Sequence, residues 1–169
     1  MTPVEKTRRD KTDVLIIEDY VGIFQFSKVM GPAYQKIMDY MQSRGEEPQK
    51  APFTQYEVDD WEKTVNMNGF KAFFSMLTKK WPIQMGFEIT TDISTNGEIK
   101  LKTIPAGDYL KTKHTGPYQK VGDAYKKIYS YAKNQNLKLD NVSYEYYLND
   151  PKKVTKEKLE TEIWVPVLS

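Results

Sequence analysis

By residue type and setting, the side chain best placed to do chemistry in this sequence is Glu145, in the run Val142-Ser-Tyr-Glu-Tyr-Tyr-Leu148. Strand alternation puts Val142, Tyr144, Tyr146 and Leu148 on one face and Ser143, Glu145 and Tyr147 on the other. The first face suits packing against helices, which leaves Glu145 and Tyr147 facing the opposite way. Two readings follow. On a solvated face Glu145 is an ordinary strand glutamate. On a face that lines an aromatic cleft the carboxylate is short of water, so desolvation raises its pKa, and a cation brought alongside reverses the shift by supplying the missing counter-charge. A site of the second kind selects cationic or polarisable aromatic ligands. Held beside an electrophile, the same raised carboxylate would act as a general base toward water.

The other chemistry-bearing residue types offer less. His114, the single histidine, sits in His-Thr-Gly116-Pro117-Tyr118 and reads as part of a turn leading into a helix. No Gly-x-Ser-x-Gly elbow, His-Glu-x-x-His pair or carboxylate cluster is present to partner it. With zero cysteines there is no disulfide frame and no thiolate, and one histidine gives a structural zinc site almost nothing to draw on. Neither Gly-x-Gly-x-x-Gly nor a P-loop occurs, so no metal and no nucleotide cofactor is expected.

Composition bounds the partners. The formal charge of +2 and a pI near 8.5 fall short of the basic bias, roughly above 9, of a nucleic-acid-binding domain. The short charged stretches, Lys6, Arg8, Arg9 and Lys11 and the mixed run Pro151 to Lys158, read as a solvated tail and loop. No apolar run approaches the ~20 residues that span a bilayer, and the N-terminus lacks a signal core, so a cytoplasmic protein is expected. What stands out is aromatic content: tyrosine, phenylalanine and tryptophan make up 13% of the 169 residues, led by 12 tyrosines whose rings pack while their hydroxyls need partners.

The elements that must position these groups are written twice. Gly31-Pro-Ala-Tyr34-Gln-Lys-Ile-Met-Asp-Tyr40 lies over Gly122-Asp-Ala-Tyr125-Lys-Lys-Ile-Tyr-Ser-Tyr131 at a constant shift of 91 residues. In both copies the apolar residues recur at helical spacing, Tyr34, Ile37, Met38 and Met41 in one and Tyr125, Ile128, Tyr129 and Ala132 in the other. The spacing predicts helices ending near Gly45 and Asn136, with Tyr34, Tyr125 and Tyr129 on their core faces. A β-rich stretch precedes each helix, Val14 to Phe26 and Glu98 to His114, and a pair of strands follows. The same shift carries Phe53-Thr-Gln-Tyr56 onto Tyr144-Glu-Tyr-Tyr147. The half-unit is therefore strand, helix, strand, strand. Asn96-Gly97 predicts a two-residue hairpin joining Phe87–Ile93 to Glu98–Ile104 and stitching the halves together. The expected organisation is a tail over 1–11 and one domain over 12–169, with module one at 12–95, an insertion at 58–84, and module two at 96–169. In the insertion, Phe70, Phe73, Phe74 and Leu77 fit one helix face stopped by Pro82. It either caps an open sheet edge or closes as a lid, in which case Trp61 and Phe74 join the ligand wall.

The run His114-Thr-Gly-Pro-Tyr118, Ala124-Tyr125 on a helix, Tyr144-Glu145-Tyr-Tyr-Leu-Asn149-Asp150-Pro151 and Leu159-Glu-Thr-Glu-Ile163-Trp164-Val-Pro166-Val resembles the GyrI-like effector-binding domains, which also serve as ligand-sensing parts of AraC-type and multidrug-responsive regulators. The likeness spans 98–167 and, through the duplication, 12–95 more loosely. It implies an α+β fold of two strand-helix-strand-strand modules related by pseudo-twofold symmetry, with antiparallel sheet and a central ligand cleft. It implies Glu145 as the acid at the base of that cleft and Tyr109, Tyr147 and Trp164 as aromatic walls, Trp164 standing where many relatives have tyrosine. No helix-turn-helix segment accompanies the domain, so a DNA-binding regulator is not expected. The function expected is binding of lipophilic, often cationic aromatic molecules. The alternatives are hydrolysis of cyclopropane-bearing genotoxins by the same glutamate and, from the family name, a module that binds a protein such as gyrase. No direct nucleic-acid or membrane partner is expected, and the oligomeric state is open.

Overall fold

In both halves of the chain the strand-helix-strand-strand order is realised, and the structure, a computed structural model, describes residues 2–22, 26–66, 80–95 and 97–168. The elements in chain order are β1 (Glu5–Arg9), β2 (Thr12–Val21), α1 (Phe26–Ser43), β3 (Phe53–Glu57), α2 (Trp61–Asn66), β4 (Trp81–Glu88), β5 (Lys100–Ile104), β6 (Gly107–Thr115), α3 (Gly122–Asn134), β7 (Lys138–Leu139), β8 (Val142–Tyr147) and β9 (Glu160–Leu168). They fall into two compact units. One comprises the described residues of Lys11–Glu57 and Met67–Pro105, the other those of Met1–Asp10, Val58–Asn66 and Ala106–Ser169.

In the unit built on Lys11–Glu57, β4 pairs with both β3 and β2, and β2 pairs with β5, all antiparallel. Four consecutive residues of β2, Val14, Leu15, Ile16 and Ile17, are buried, which marks a central strand rather than an edge. Helix α1 lays Ile37 and Met41 onto Leu15, Ile17, Met85 and Phe87. Gly86, in β4 between β2 and β3, is required by close approach: a Cβ there would lie 2.4 Å from the Leu15 carbonyl oxygen and 2.8 Å from Ile16 Cγ2. The two helices end as the sequence predicts, with left-handed residues just beyond them, Gly45 at φ 74° and Asn136 at φ 52°.

The hairpin expected at Asn96-Gly97 does not form. Gly97 does take a positive φ of 75°, but β4 and β5 both pair with β2 and not with each other. Asn96 lies outside the described residues. A turn signal fixes a local reversal of the chain, whereas strand order follows burial, and β2, with its buried apolar run Val14 to Ile17, takes the middle. Pro82, expected to stop the insertion's helix, is the second residue of β4, opposite Tyr20, near a strand start where a missing N–H is tolerated. The expected helix face of Phe70, Phe73, Phe74 and Leu77 lies outside the described residues.

The other unit repeats the connectivity. β9 pairs with both β6 and β8, as β4 pairs with both β2 and β3, and β1 flanks β6 as β5 flanks β2. Leu110, Ile163 and Val165 meet Ala124, Ile128 and Ala132 of α3 in its core. The stretch expected as a solvated tail thus supplies an edge strand, with Lys6 paired to Asp108 at 2.9 Å and Arg9 buried. Helix α2, started by the Asp60 carboxylate accepting from the Lys63 N–H at 2.9 Å, belongs to this unit. Val58 N–H donates to the Asn141 carbonyl at 2.8 Å, and Trp61 and Val65 complete the apolar cluster over α3.

Candidate functional site

Alternation along β8 divides its side chains as the sequence predicts, but the faces are exchanged. The helix packs on the Ser143, Glu145 and Tyr147 side, because Glu145 lies opposite Ile163 in the ladder and Ile163 is core beneath α3. A carboxylate can sit under a helix only if something satisfies it. Tyr125, in the first turn of α3, provides that: its hydroxyl donates to Glu145 Oε1 at 2.7 Å and lies 3.1 Å from Ser143 Oγ. Fully buried Ala124 beside it carries only a methyl group toward the sheet, which keeps the helix close. Tyr147 donates to Oε2 at 3.3 Å.

Glu145 is 8% exposed, and burial pushes its carboxyl above the ordinary glutamate value while the two phenol hydrogen bonds pull the other way. Its partners among the described residues are hydroxyls rather than cations. Half-buried tyrosines ring it. Tyr118 meets Tyr147 edge to face at 5.6 Å, and its phenol pKa is raised by burial first and then by the charges of Glu145 and Asp150. Trp61 of α2 packs against Tyr125 with ring centroids 6.0 Å apart and anchors its indole N–H on the Asp140 carbonyl at 2.8 Å. The result is one carboxylate, desolvated and held by neutral donors, beside aromatic rings. It can balance an incoming positive charge or take a proton.

The duplication isolates what is special here. Tyr34 and Thr54, one shift of 91 residues upstream of Tyr125 and Glu145, make the same helix-to-strand hydrogen bond, phenol to hydroxyl at 2.6 Å. Both units thus use a helix tyrosine to satisfy a strand side chain. Only the second places a charge there.

Of the residues expected around Glu145, Tyr147 is brought to it, Trp61 packs on Tyr125 rather than on the acid itself, and Phe74 lies outside the described residues. Tyr109 and Trp164 are not brought to it. Trp164 lies opposite Tyr144 in the ladder, on the other face of the sheet, and Tyr109 packs against both at 6.0 and 6.4 Å. With Tyr146 they surround a cation of the chain's own. Arg9 holds its guanidinium 5.4 to 5.8 Å from the rings of Tyr109, Tyr146 and Trp164 and donates to the Tyr146 hydroxyl at 2.8 Å. His114 is the penultimate residue of β6 rather than part of the turn, which follows at Gly116 with φ 130°.

Sequence reasoning missed Tyr125, Tyr118, Ser143 and Arg9. The signal for Tyr125 was its equivalence to Tyr34, read only as core periodicity. For Arg9 it was the alternation of Glu5 to Arg9, which turns Lys6 and Arg8 one way and Thr7 and Arg9 the other.

Among solved structures, the chain is similar in fold to EcmrR in a complex with DNA, with a TM-score of 0.76 and 19% identity over 97% of this chain. This chain covers 56% of that one. It is also similar to a hydrolase encoded by lin2189 from Listeria innocua, with a TM-score of 0.70 and 13% identity, covering 98% of this chain and 92% of that one. A third likeness is to SAV2435 bound to tetraphenylphosphonium, with a TM-score of 0.55 and 14% identity over 99% of this chain and 95% of that one. The comparison with curated proteins found no match. No described helix is long and apolar enough to cross a membrane. The model of the GyrI-like small molecule binding domain matches residues 21–168, nearly the whole length over which the two units were traced, and the chain belongs to that family.

Proposed function

We propose that this protein binds lipophilic aromatic cations, with Glu145 as the counter-charge and Tyr118, Tyr125 and Tyr147 as the aromatic surround. The observation that carries the reading is a carboxylate 8% exposed whose described partners are two tyrosine hydroxyls. An ionised carboxylate in that position is short of positive charge, and a ligand cation supplies it. A ring face adds about 0.5–2 kcal/mol for a cation placed over it. The tetraphenylphosphonium held by SAV2435, a protein of similar fold, is a molecule of this class. Titrating tetraphenylphosphonium and a panel of cationic dyes against wild type and Glu145→Gln tests the reading. The expected result is a loss of about 30-fold or more in affinity for the cations, with little change for a neutral aromatic of the same size. Equal cation affinities would contradict it.

A second reading rests on the raised carboxyl itself. Glu145 as general base would take a proton from water as the water oxygen bonds to a carbon of a strained cyclopropane ring, and the breaking ring bond leaves as a carbanion equivalent that is protonated. The hydrolase of similar fold from Listeria innocua gives this reading a companion. Product formation followed by mass spectrometry, abolished in Glu145→Gln, supports it; stoichiometric binding without product excludes it.

A further inference from the structure

Two polar atoms on the Glu145 side of the sheet have no hydrogen-bond partner among the described residues: His114 Nδ1 and Thr161 Oγ1. Both side chains are deeply buried, His114 at 3% and Thr161 at 0% exposure. They are also neighbours, since Thr161 of β9 lies directly opposite His114 of β6 and, across its other edge, opposite Tyr147 of β8. This row stands two residues along β9 from the Ile163 position that faces Glu145. Two residues of strand span about 7 Å. Tyr147, which donates to Glu145, is therefore the side chain that joins the two rows.

The hydrogen-bonding roles follow from the partners. His114 Nε2 lies 3.1 Å from the Pro117 carbonyl oxygen, and a carbonyl only accepts, so Nε2 carries the hydrogen. In the neutral imidazole that leaves Nδ1 a bare acceptor. Thr161 adds a hydroxyl that both donates and accepts. A buried acceptor and a buried hydroxyl at paired positions, neither with a partner among the described residues, call for an explanation, and a received ligand group is one that would satisfy both.

We propose that His114 Nδ1 and Thr161 Oγ1 form a hydrogen-bonding subsite beside Glu145 that receives a hydroxyl or N–H group carried by an aromatic cation. The inference rests on the reading of Glu145 as counter-charge and deepens it: the preferred ligand is a cation with a donor group a short arm away from the charge, rather than a purely apolar one. The ligand's O–H or N–H donates to Nδ1, and where the ligand group is a hydroxyl its oxygen accepts from the Thr161 hydroxyl.

A matched pair of probes tests this, ethyltriphenylphosphonium and (2-hydroxyethyl)triphenylphosphonium, titrated calorimetrically against the full-length protein. The wild type is expected to hold the hydroxyl compound about three- to tenfold more tightly. Thr161→Val, nearly the same shape without the hydroxyl, is expected to remove that preference while its Tm stays level or rises, since it deletes a buried hydroxyl that has no partner among the described residues. Glu145→Gln is expected to weaken both probes equally and keep their ratio. Because His114 is the only histidine, its ring nitrogens give unambiguous ¹⁵N signals, and Nδ1 is expected to shift upfield with the hydroxyl probe and not with the ethyl one. Equal affinities for the two probes in the wild type, or a preference that survives Thr161→Val with Nδ1 unmoved, would overturn the subsite and leave the counter-charge reading standing. If neither phosphonium binds, the counter-charge reading fails and the subsite falls with it.

Discussion

At the residue scale the molecule turns on one buried acid and the phenol that holds it. The Tyr125 hydroxyl makes the shorter of the two bonds to Glu145, and a hydrogen bond to a charged group contributes about 1.5–3 kcal/mol. Tyr125→Phe is therefore expected to lower stability by about that amount at pH values where Glu145 is ionised and by less in acid, as read from denaturant curves; an unchanged midpoint would show that the bond contributes nothing. The raised carboxyl also sets a direction for pH dependence. A carboxyl that binds its proton more tightly when folded contributes stability that is complete below the unfolded-state value of ~4.3 and is lost as pH rises through the higher folded value. Glu145→Gln removes this loss, so its stability relative to wild type is expected to increase as pH rises from about 4 to about 8; a relative decline would contradict the assignment. Glu145 was legible because one acid stood among tyrosines on an alternating strand. The side to which it points was not, because alternation separates two faces without saying which one a helix covers.

At the element scale the duplication and the helix ends were readable, since periodicity and capping residues are local. Strand order was not, since it depends on burial that no neighbouring residue reveals; hence the turn at Gly97 without a hairpin, and β1 where a tail was expected. Gly86 carries the close contact of three strands. Gly86→Ala forces a methyl group against the Leu15 carbonyl and Ile16, so a loss of about 1–3 kcal/mol or more is expected in chemical denaturation, and wild-type stability would contradict the register. Trp61 fixes α2 onto α3 and packs on Tyr125. Trp61→Ala is expected to cost about 3–5 kcal/mol, whereas a residue serving only as a ligand wall would cost affinity without stability.

At the scale of the whole molecule, the two units are interleaved in sequence: β1 and α2, which complete the unit holding Glu145, come from chain positions before and within the other unit. A fragment of residues 106–169 contains Glu145, Tyr118, Tyr125 and Tyr147 but lacks Arg9 and Trp61, so it leaves Tyr109, Tyr146 and Trp164 without the Arg9 guanidinium they share and α3 without its cover. It is expected to be unfolded by circular dichroism and to bind no cation, and a folded, binding fragment would contradict the roles given to β1 and α2. Family membership was legible from the second half of the chain because its turn and strand motifs are contiguous. The sorting of its aromatics was not: Tyr109 and Trp164 serve a structural arginine and Tyr125 serves the acid, a division set by ladder register. The most direct test of the central claim is proton release on cation binding. Tetraphenylphosphonium titrated calorimetrically near the acid end, in buffers of different ionisation enthalpy, should expel up to one proton from Glu145 in the wild type and none in Glu145→Gln, with wild-type affinity rising as pH rises. Binding that releases no proton at any pH and is indifferent to Glu145→Gln would contradict the claim that this carboxylate is the ligand's counter-charge.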